Sequence, residues 1–261
     1  MEHAADVFEL EVLDPDHGHG IEVEGVAYVH RPYRVWIDLA DRLGFRMLTP
    51  RPAASPCVRL RFERITSKAE VVDSKLEEPG FVIDLAEALD RIDLPAEPRI
   101  LSLGVHTGDE LALLLALRPG LTEATLVGVD RSAPALAVAR QRFPRATLIE
   151  ADLDQPLELG PAFDLVIAVA TLQSTALDDR ALLRRIVQRH LAPTGSVILG
   201  IPNCRVIGGE LSYGARMRNF RQPELGLVVK DIAFYRKYLQ QHARQVFVTG
   251  KHYLLVTAIP G

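Results

Sequence analysis

Apolar and polar positions alternate along residues 8–13 (FELEVL) and 21–29 (IEVEGVAYV), the pattern of strands with one buried face, and the two segments can pair as a hairpin. The period then lengthens over 33–43, where Val35, Trp36, Leu39 and Leu43 recur on one face of a helix that Gly44 stops. Strand character returns in FRMLT and CVRLRFERI, separated by the loop PRPAASP. Residues 1–65 therefore read as a small α+β accessory domain, a platform or lid for the rest of the chain. Residues 66–98 read as a helical connector, with a helix over 81–92 on which Leu85, Leu89 and Ile92 share a face.

From residue 99 the rhythm changes. Short apolar runs, RILSLGV, TLVGVD, ATLIEA, FDLVIAVA and GSVILGI, alternate with helical stretches at 109–117, 132–142 and 177–191. Such alternation builds a parallel sheet with helices on both faces, so the class is α/β and Rossmann-like over 99–261. The end differs: a helix over 230–241 precedes QVFVTGKHYLLVTA, two strand patterns joined around Gly250. A connection that short makes the final strands antiparallel.

Composition narrows the classes. At 261 residues and 48% hydrophobic, the chain can bury a sizeable core. No apolar run reaches the roughly 20 residues of a membrane span, and MEHAADVFELE lacks a signal-peptide core, so no membrane partner and a cytoplasmic location are expected. Cys57 and Cys204 form no CxxC pair, and His17 and His19 in DPDHGHG lack further ligands at metal spacing, so no metal is expected. A net charge of −4 gives no global reason for nucleic-acid binding.

In a parallel sheet, ligands collect beyond the C-terminal strand ends, where a first glycine-rich turn admits them to the backbone. Gly104-Val105-His106-Thr107-Gly108 occupies that place. It is not the GxGxxG of a pyrophosphate site, and Asp109 and Glu110 at the helix start would oppose a phosphate while suiting the helix dipole. A nucleoside without phosphates fits better.

Over residues 97–259 the chain resembles the class I S-adenosylmethionine-dependent methyltransferase superfamily. ILSLGVHTG is similar to its first motif. LVGVDRS ends a second strand with Asp130, and IEADLDQP follows a third with Asp152 and Leu153. FDLVIAVATLQS resembles the fourth motif, ending near Ala170, and LAPTGSVILG the turn into the fifth strand. The resemblance implies that S-adenosyl-L-methionine is the cofactor. Its loop would be Gly104, His106 and Gly108, its ribose hydroxyls would meet Asp130, and its adenine would meet Asp152 and Leu153, with Ala170 beside the donor. Carboxylates suit these roles as acceptors, although a loop Asp before a helix also serves as a cap.

Ser102 departs from the family, which commonly has an acid there that organises the loop and approaches the methionyl amino group; Asp109 and Glu110 either compensate or sit as helix-start acids. The acceptor wall is expected from ATLQST and residues 201–231, where Glu210 and Tyr213 are the substrate-facing candidates, with a solvated loop as the alternative. Arg205, Arg216, Arg218 and Arg221 either hold an anionic small-molecule acceptor, which is the expectation, or keep an exposed loop soluble. Methyl transfer to such a molecule by in-line displacement is the leading expectation. RNA methylation over a face containing Arg140, Arg142, Arg184, Arg185 and Arg189, and a non-catalytic binding or scaffold role, are the alternatives.

Overall fold

In a computed structural model, which describes residues 7–13, 20–23, 26–29, 45–47, 51–52, 57–64, 79–174, 177–207, 210–213, 228–250 and 253–261, the chain divides into two units. One comprises Met1–Ala86 with Val206–Ser212, the other Glu87–Arg205 with Tyr213–Gly261.

The first unit contains β1 (Val7–Leu13), β2 (Gly20–Val23), β3 (Val26–Val29), β4 (Phe45–Met47), β5 (Arg51–Pro52) and β6 (Cys57–Arg64). Among the described residues the hairpin expected between 8–13 and 21–29 does not form. Instead β1 pairs antiparallel with β6, and β2 pairs with β3. The register explains the preference: Phe8, Leu10 and Val12 lie opposite Phe62, Leu60 and Val58, while Glu9 and Glu11 lie opposite Arg61 and Arg59. The register thus matches apolar positions with apolar ones and acids with bases, whereas a pairing of the two acidic strands would set like charges against each other. The ion pair of Glu9 with Arg61 spans 3.9 Å. The helix expected over 33–43 lies outside the described residues.

A helix, α1, runs over Pro79–Asp90, two residues ahead of the expected 81–92. Proline at the helix start explains the shift, since its fixed φ is preorganised there and its missing N–H has no partner to lose.

The second unit is built on seven strands: β7 (Arg99–Leu103), β8 (Thr125–Asp130), β9 (Thr147–Glu150), β10 (Phe163–Val169), β11 (Leu191–Pro202), β14 (Arg244–Thr249) and β15 (Tyr253–Pro260). A separate two-stranded pair, β12 (Cys204–Ile207) and β13 (Glu210–Tyr213), follows β11. The helices are α2 (Asp109–Leu117), α3 (Ala133–Arg142), α4 (Asp179–Arg185) and α5 (Val228–Gln241).

The strands lie in the order β9-β8-β7-β10-β11-β15-β14. The pairs from β9 to β11 are parallel; β15 is antiparallel to β14, as the short connection around Gly250 requires, and also to β11. Ranked along the chain the order is 3-2-1-4-5-7-6, the doubly wound arrangement with its last strand slipped inside the edge. The direction of winding reverses between β7 and β10, which opens a crevice at their C-terminal ends. The central strands need no polar face: Leu165, Val166, Ile167 and Ala168 of β10 are wholly buried, as are Ile100 and Leu101 of β7.

Helix α4 starts at Asp179, later than the expected 177, because Asp178 caps it by accepting the Ala181 N–H (3.0 Å). Its end widens into a π turn over Ile186–His190. His190 is buried there, its Nδ1 without a hydrogen-bond partner, and burial, followed by the neighbouring Arg189 charge, lowers its pKa below 6.5.

The folded protein therefore resists protonation of His190 more than the unfolded chain does. Above about pH 6.5 folded and unfolded chains are both neutral at this position and its contribution is complete; as pH falls, the unfolded chain takes the proton first and stability is lost towards the folded pKa. The melting temperature should fall between about pH 7 and about pH 5.5 more steeply in the unaltered protein than in His190→Leu. Parallel curves in thermal scans would contradict this assignment.

Candidate functional site

The crevice is walled by the turns that leave β7, β8, β9 and β10. The β7 turn is the glycine loop, and its backbone is held from β8: the N–H groups of Gly104 and Val105 both donate to the Val129 carbonyl (2.8 and 3.1 Å). The next donor, the His106 N–H, goes to Oδ2 of Asp130 (2.9 Å). Oδ1 of the same carboxylate accepts the Ser132 N–H (2.8 Å). Asp130 thus joins the β7 loop to the start of α3, where Ser132 caps the helix by accepting from Ala135 (3.4 Å). Each carboxylate oxygen keeps a second lone pair, so two neighbouring hydroxyl donors still find acceptors there.

The loop needs its glycines. Gly104 has φ +68°, and a Cβ there would lie 2.3 Å from Oγ1 of Thr171. Gly108 has φ +86°, and a Cβ would meet the Phe143 ring at 2.5 Å. His106, exposed between them, also takes a left-handed conformation with φ +47°. On the opposite wall Ala170 has φ +53°, its N–H bonded to the Gly200 carbonyl at 2.8 Å. Left-handed residues other than glycine are uncommon and costly, and two of them facing the same crevice mark it as a place where backbone geometry is imposed by its surroundings.

Thr171 joins those walls. Its hydroxyl donates to the Leu103 carbonyl (2.8 Å), immediately before Gly104, and lies 3.1 Å from the Val169 carbonyl. Sequence reasoning puts Thr171 in the expected acceptor wall ATLQST but misses its support of the glycine loop, because only the parallel pairing of β7 with β10 brings positions 68 apart in sequence together. It also misses Arg142 as a loop support. Arg142 donates to Oδ1 of Asp109 (2.6 Å) and to the Thr107 carbonyl (2.7 Å). Asp109 is thereby engaged at the helix start, and Glu110 beside it is buried.

The β9 turn is fastened similarly. The Ala151 N–H donates to the Asp130 carbonyl (3.0 Å), which brings Asp152 and Leu153 alongside the other two turns. Asp152 is exposed, and its Oδ1 accepts the Asp154 N–H (3.0 Å), a local turn that orders the carboxylate. Leu153 is half-buried against the main core, and its carbonyl accepts from Arg185, which also donates to the Asp154 carbonyl at 2.9 Å. Asp154 in turn accepts the Asp178 N–H (2.9 Å).

The structure therefore brings together Gly104, His106, Gly108, Asp130, Asp152, Leu153 and Ala170. Glu210 and Tyr213 lie on β13, with their side chains outside the described structure; Arg216, Arg218 and Arg221 fall outside the described residues, as do His17 and His19. Among the described residues no cluster of three or more His, Cys, Asp or Glu side chains could hold a metal ion, and no helix is long and apolar enough to cross a membrane.

Residues 100–195 match the family model described as a methyltransferase domain. Trans-aconitate 2-methyltransferase of Methylobacterium nodulans is 34% identical over 141 residues, covering 51% of this chain and 52% of that protein. The enzyme of the same name from Azoarcus sp. is 35% identical over 116 residues, 44% of each chain. This chain thus spans about half the length of the curated relatives it matches. Among solved structures, a precorrin-6y C5,15-methyltransferase from Geobacter metallireducens has a TM-score of 0.50 at 13% identity, covering 74% of this chain and 96% of that one, a likeness of fold.

Two substitutions test the loop. Asp130→Asn turns one acceptor into a donor facing a backbone N–H and should cost about 1–3 kcal/mol in denaturant unfolding, with no ligand present. Gly104→Ala combines a left-handed conformation with overpacking against Thr171 and should cost about 2–4 kcal/mol; a loss below about 0.5 kcal/mol in either would contradict the geometry.

Proposed function

We propose, from the premise that this chain carries a class I S-adenosylmethionine-dependent methyltransferase domain, that it transfers a methyl group from S-adenosylmethionine to a small anionic acceptor. The observation that carries this reading is the Asp130 carboxylate. Two backbone N–H groups fix it at the crevice, and its remaining lone pairs suit the two ribose hydroxyls of the cofactor. Asp152 is the acceptor for the adenine amino group, with Leu153 flanking the ring, and the loop from Gly104 to Gly108 lies under the ribose and methionyl parts.

When bound, S-adenosylmethionine supplies a methyl group already activated on a sulfonium. The chain's own residues then align the acceptor and exclude water. The segment Ala170–Ser174 offers Thr171, Gln173 and Ser174 but no Asp, Glu, His or Lys. A carboxylate acceptor suits such a wall, because it arrives ionised at neutral pH and needs no base. The relatives named for trans-aconitate support an acid as the acceptor class, and Glu210 and Tyr213 remain the candidates for contacting it.

RNA methylation has less support. Arg140 donates to the Leu148 carbonyl, Arg142 to Asp109, and Arg185 to the β9 turn, while Arg184 lies over the Phe234 ring at 5.9 Å. These side chains have local work to do.

Calorimetry with S-adenosylmethionine and S-adenosylhomocysteine should give saturable binding that Asp130→Ala weakens at least about tenfold. Absence of binding at millimolar concentrations would defeat the proposal. Tight RNA binding that weakens steeply with salt would redirect it to nucleic acid.

A further inference from the structure

Helices α4 and α5 lie side by side, joined by the Tyr235 hydroxyl donating to Oδ2 of Asp179 (2.6 Å). Nε2 of Gln188, in the π turn, donates to the Tyr238 hydroxyl (3.3 Å) and extends the seam. Each helix contains one acid, and both are buried: Asp179 is 1% exposed and Asp231 5%. The outward side is cationic. Arg184, Lys230, Arg236 and Lys237 are exposed, as is Arg189 in the π turn, and among the described residues none of the five forms an ion pair. In a chain with 34 acids against 30 Lys and Arg, that is a strong local departure.

The cations converge on one half-buried ring. Lys230 and Lys237, four residues before Phe234 and three after, share its side of α5. From α4, the guanidinium carbons of Arg180 and Arg184 lie 4.5 and 5.9 Å from its centroid. Arg180 and Arg184 are themselves one turn apart, where like charges repel. A merely solvated helix face interleaves the two signs and gains from the pairs; a one-sign face gains only when an opposite charge arrives.

The surroundings narrow the partner. Val229 is 68% exposed and Ala233, one turn on, is exposed too, so an apolar strip runs beside the cations. Carboxylates bordering an apolar strip, the pattern of an acidic amphipathic helix, complement it. The 14 residues of α5 give a track about 21 Å long, room for about four turns of such a helix. Nucleic acid fits less well. Single strands stack their bases on free aromatic rings, whereas Phe234 already has Arg180 over it and Tyr238 stacked on it (6.0 Å, 13°).

We infer that the outward face of α4 and α5 docks an acidic amphipathic helix of a partner protein. Its carboxylates meet Arg180, Arg184, Lys230 and Lys237, and its apolar side lies on Val229 and Ala233. The inference does not depend on the methyl-donor reading above.

The probe is a fluorescent peptide of Glu and Leu, about four helical turns long with its leucines on one face, titrated with the full chain and followed by anisotropy. Saturable binding in the micromolar range, weakening as salt rises, is expected. Arg184→Glu with Lys237→Glu should weaken it at least about tenfold, and Arg140→Glu with Arg145→Glu, an equal charge change elsewhere, less than about twofold. Should the first pair perturb folding, Lys230→Gln with Lys237→Gln repeats the measurement at two side chains that make no ion pair in the fold. No saturable binding, or equal weakening by both pairs of reversals, overturns the inference. So does tighter binding of an oligouridylate of about 20 nucleotides, or of phosphatidylserine vesicles, than of the peptide.

Discussion

The carboxylate of Asp130 is the constraint on which the crevice depends. One oxygen holds the loop after β7 and the other holds the chain entering α3, while the carbonyl of the same residue receives the first N–H after β9. Three consecutive strand exits are thus referenced to one residue. A charged acceptor bonded to backbone amides is among the stronger and more directional restraints available, and here it sits where the sheet cannot supply ladder hydrogen bonds of its own. Thr171 extends the frame across the reversal point to β10, which leaves the loop supported from both flanks.

That frame also explains how the loop keeps its shape with Ser102, rather than an acid, near the end of β7. The organising role passes to the neighbouring strand: Val129 and Asp130 hold the loop backbone through three consecutive amides, those of Gly104, Val105 and His106. Asp109 contributes from the helix side through Arg142. The loop shape is therefore held without a carboxylate at the end of β7.

Much of the α/β unit was legible because its signals are local. Unbroken apolar runs bounded by Gly, Pro and Asp read as buried parallel strands, and Asp130 and Asp152 stand at the ends of two such runs. What escaped depends on register. Nothing near Val7–Leu13 says that its partner begins 50 residues on at Cys57; the complementary charges of Glu9 and Glu11 with Arg61 and Arg59 carry the information, but only once the two strands are laid side by side. The loop-supporting roles of Thr171 and Arg142 were illegible for the same reason. Their significance lies in partners that exist only after the sheet has assembled.

The placement of β15 has a consequence for the order of assembly. β14 precedes it in the chain yet lies outside it in the sheet, so among the described strands β14 meets only β15. A nascent chain that has completed β7 to β11 can close their parallel ladder, but it must carry β14 as an unpaired strand until β15 inserts and zips along both neighbours at once. The β11 flank is an open sheet edge during that interval, able to recruit a strand from another chain. Both late pairings settle with the synthesis of a single eight-residue strand, which makes closure of that side of the sheet a concerted event and its delay the period of greatest exposure to misassembly.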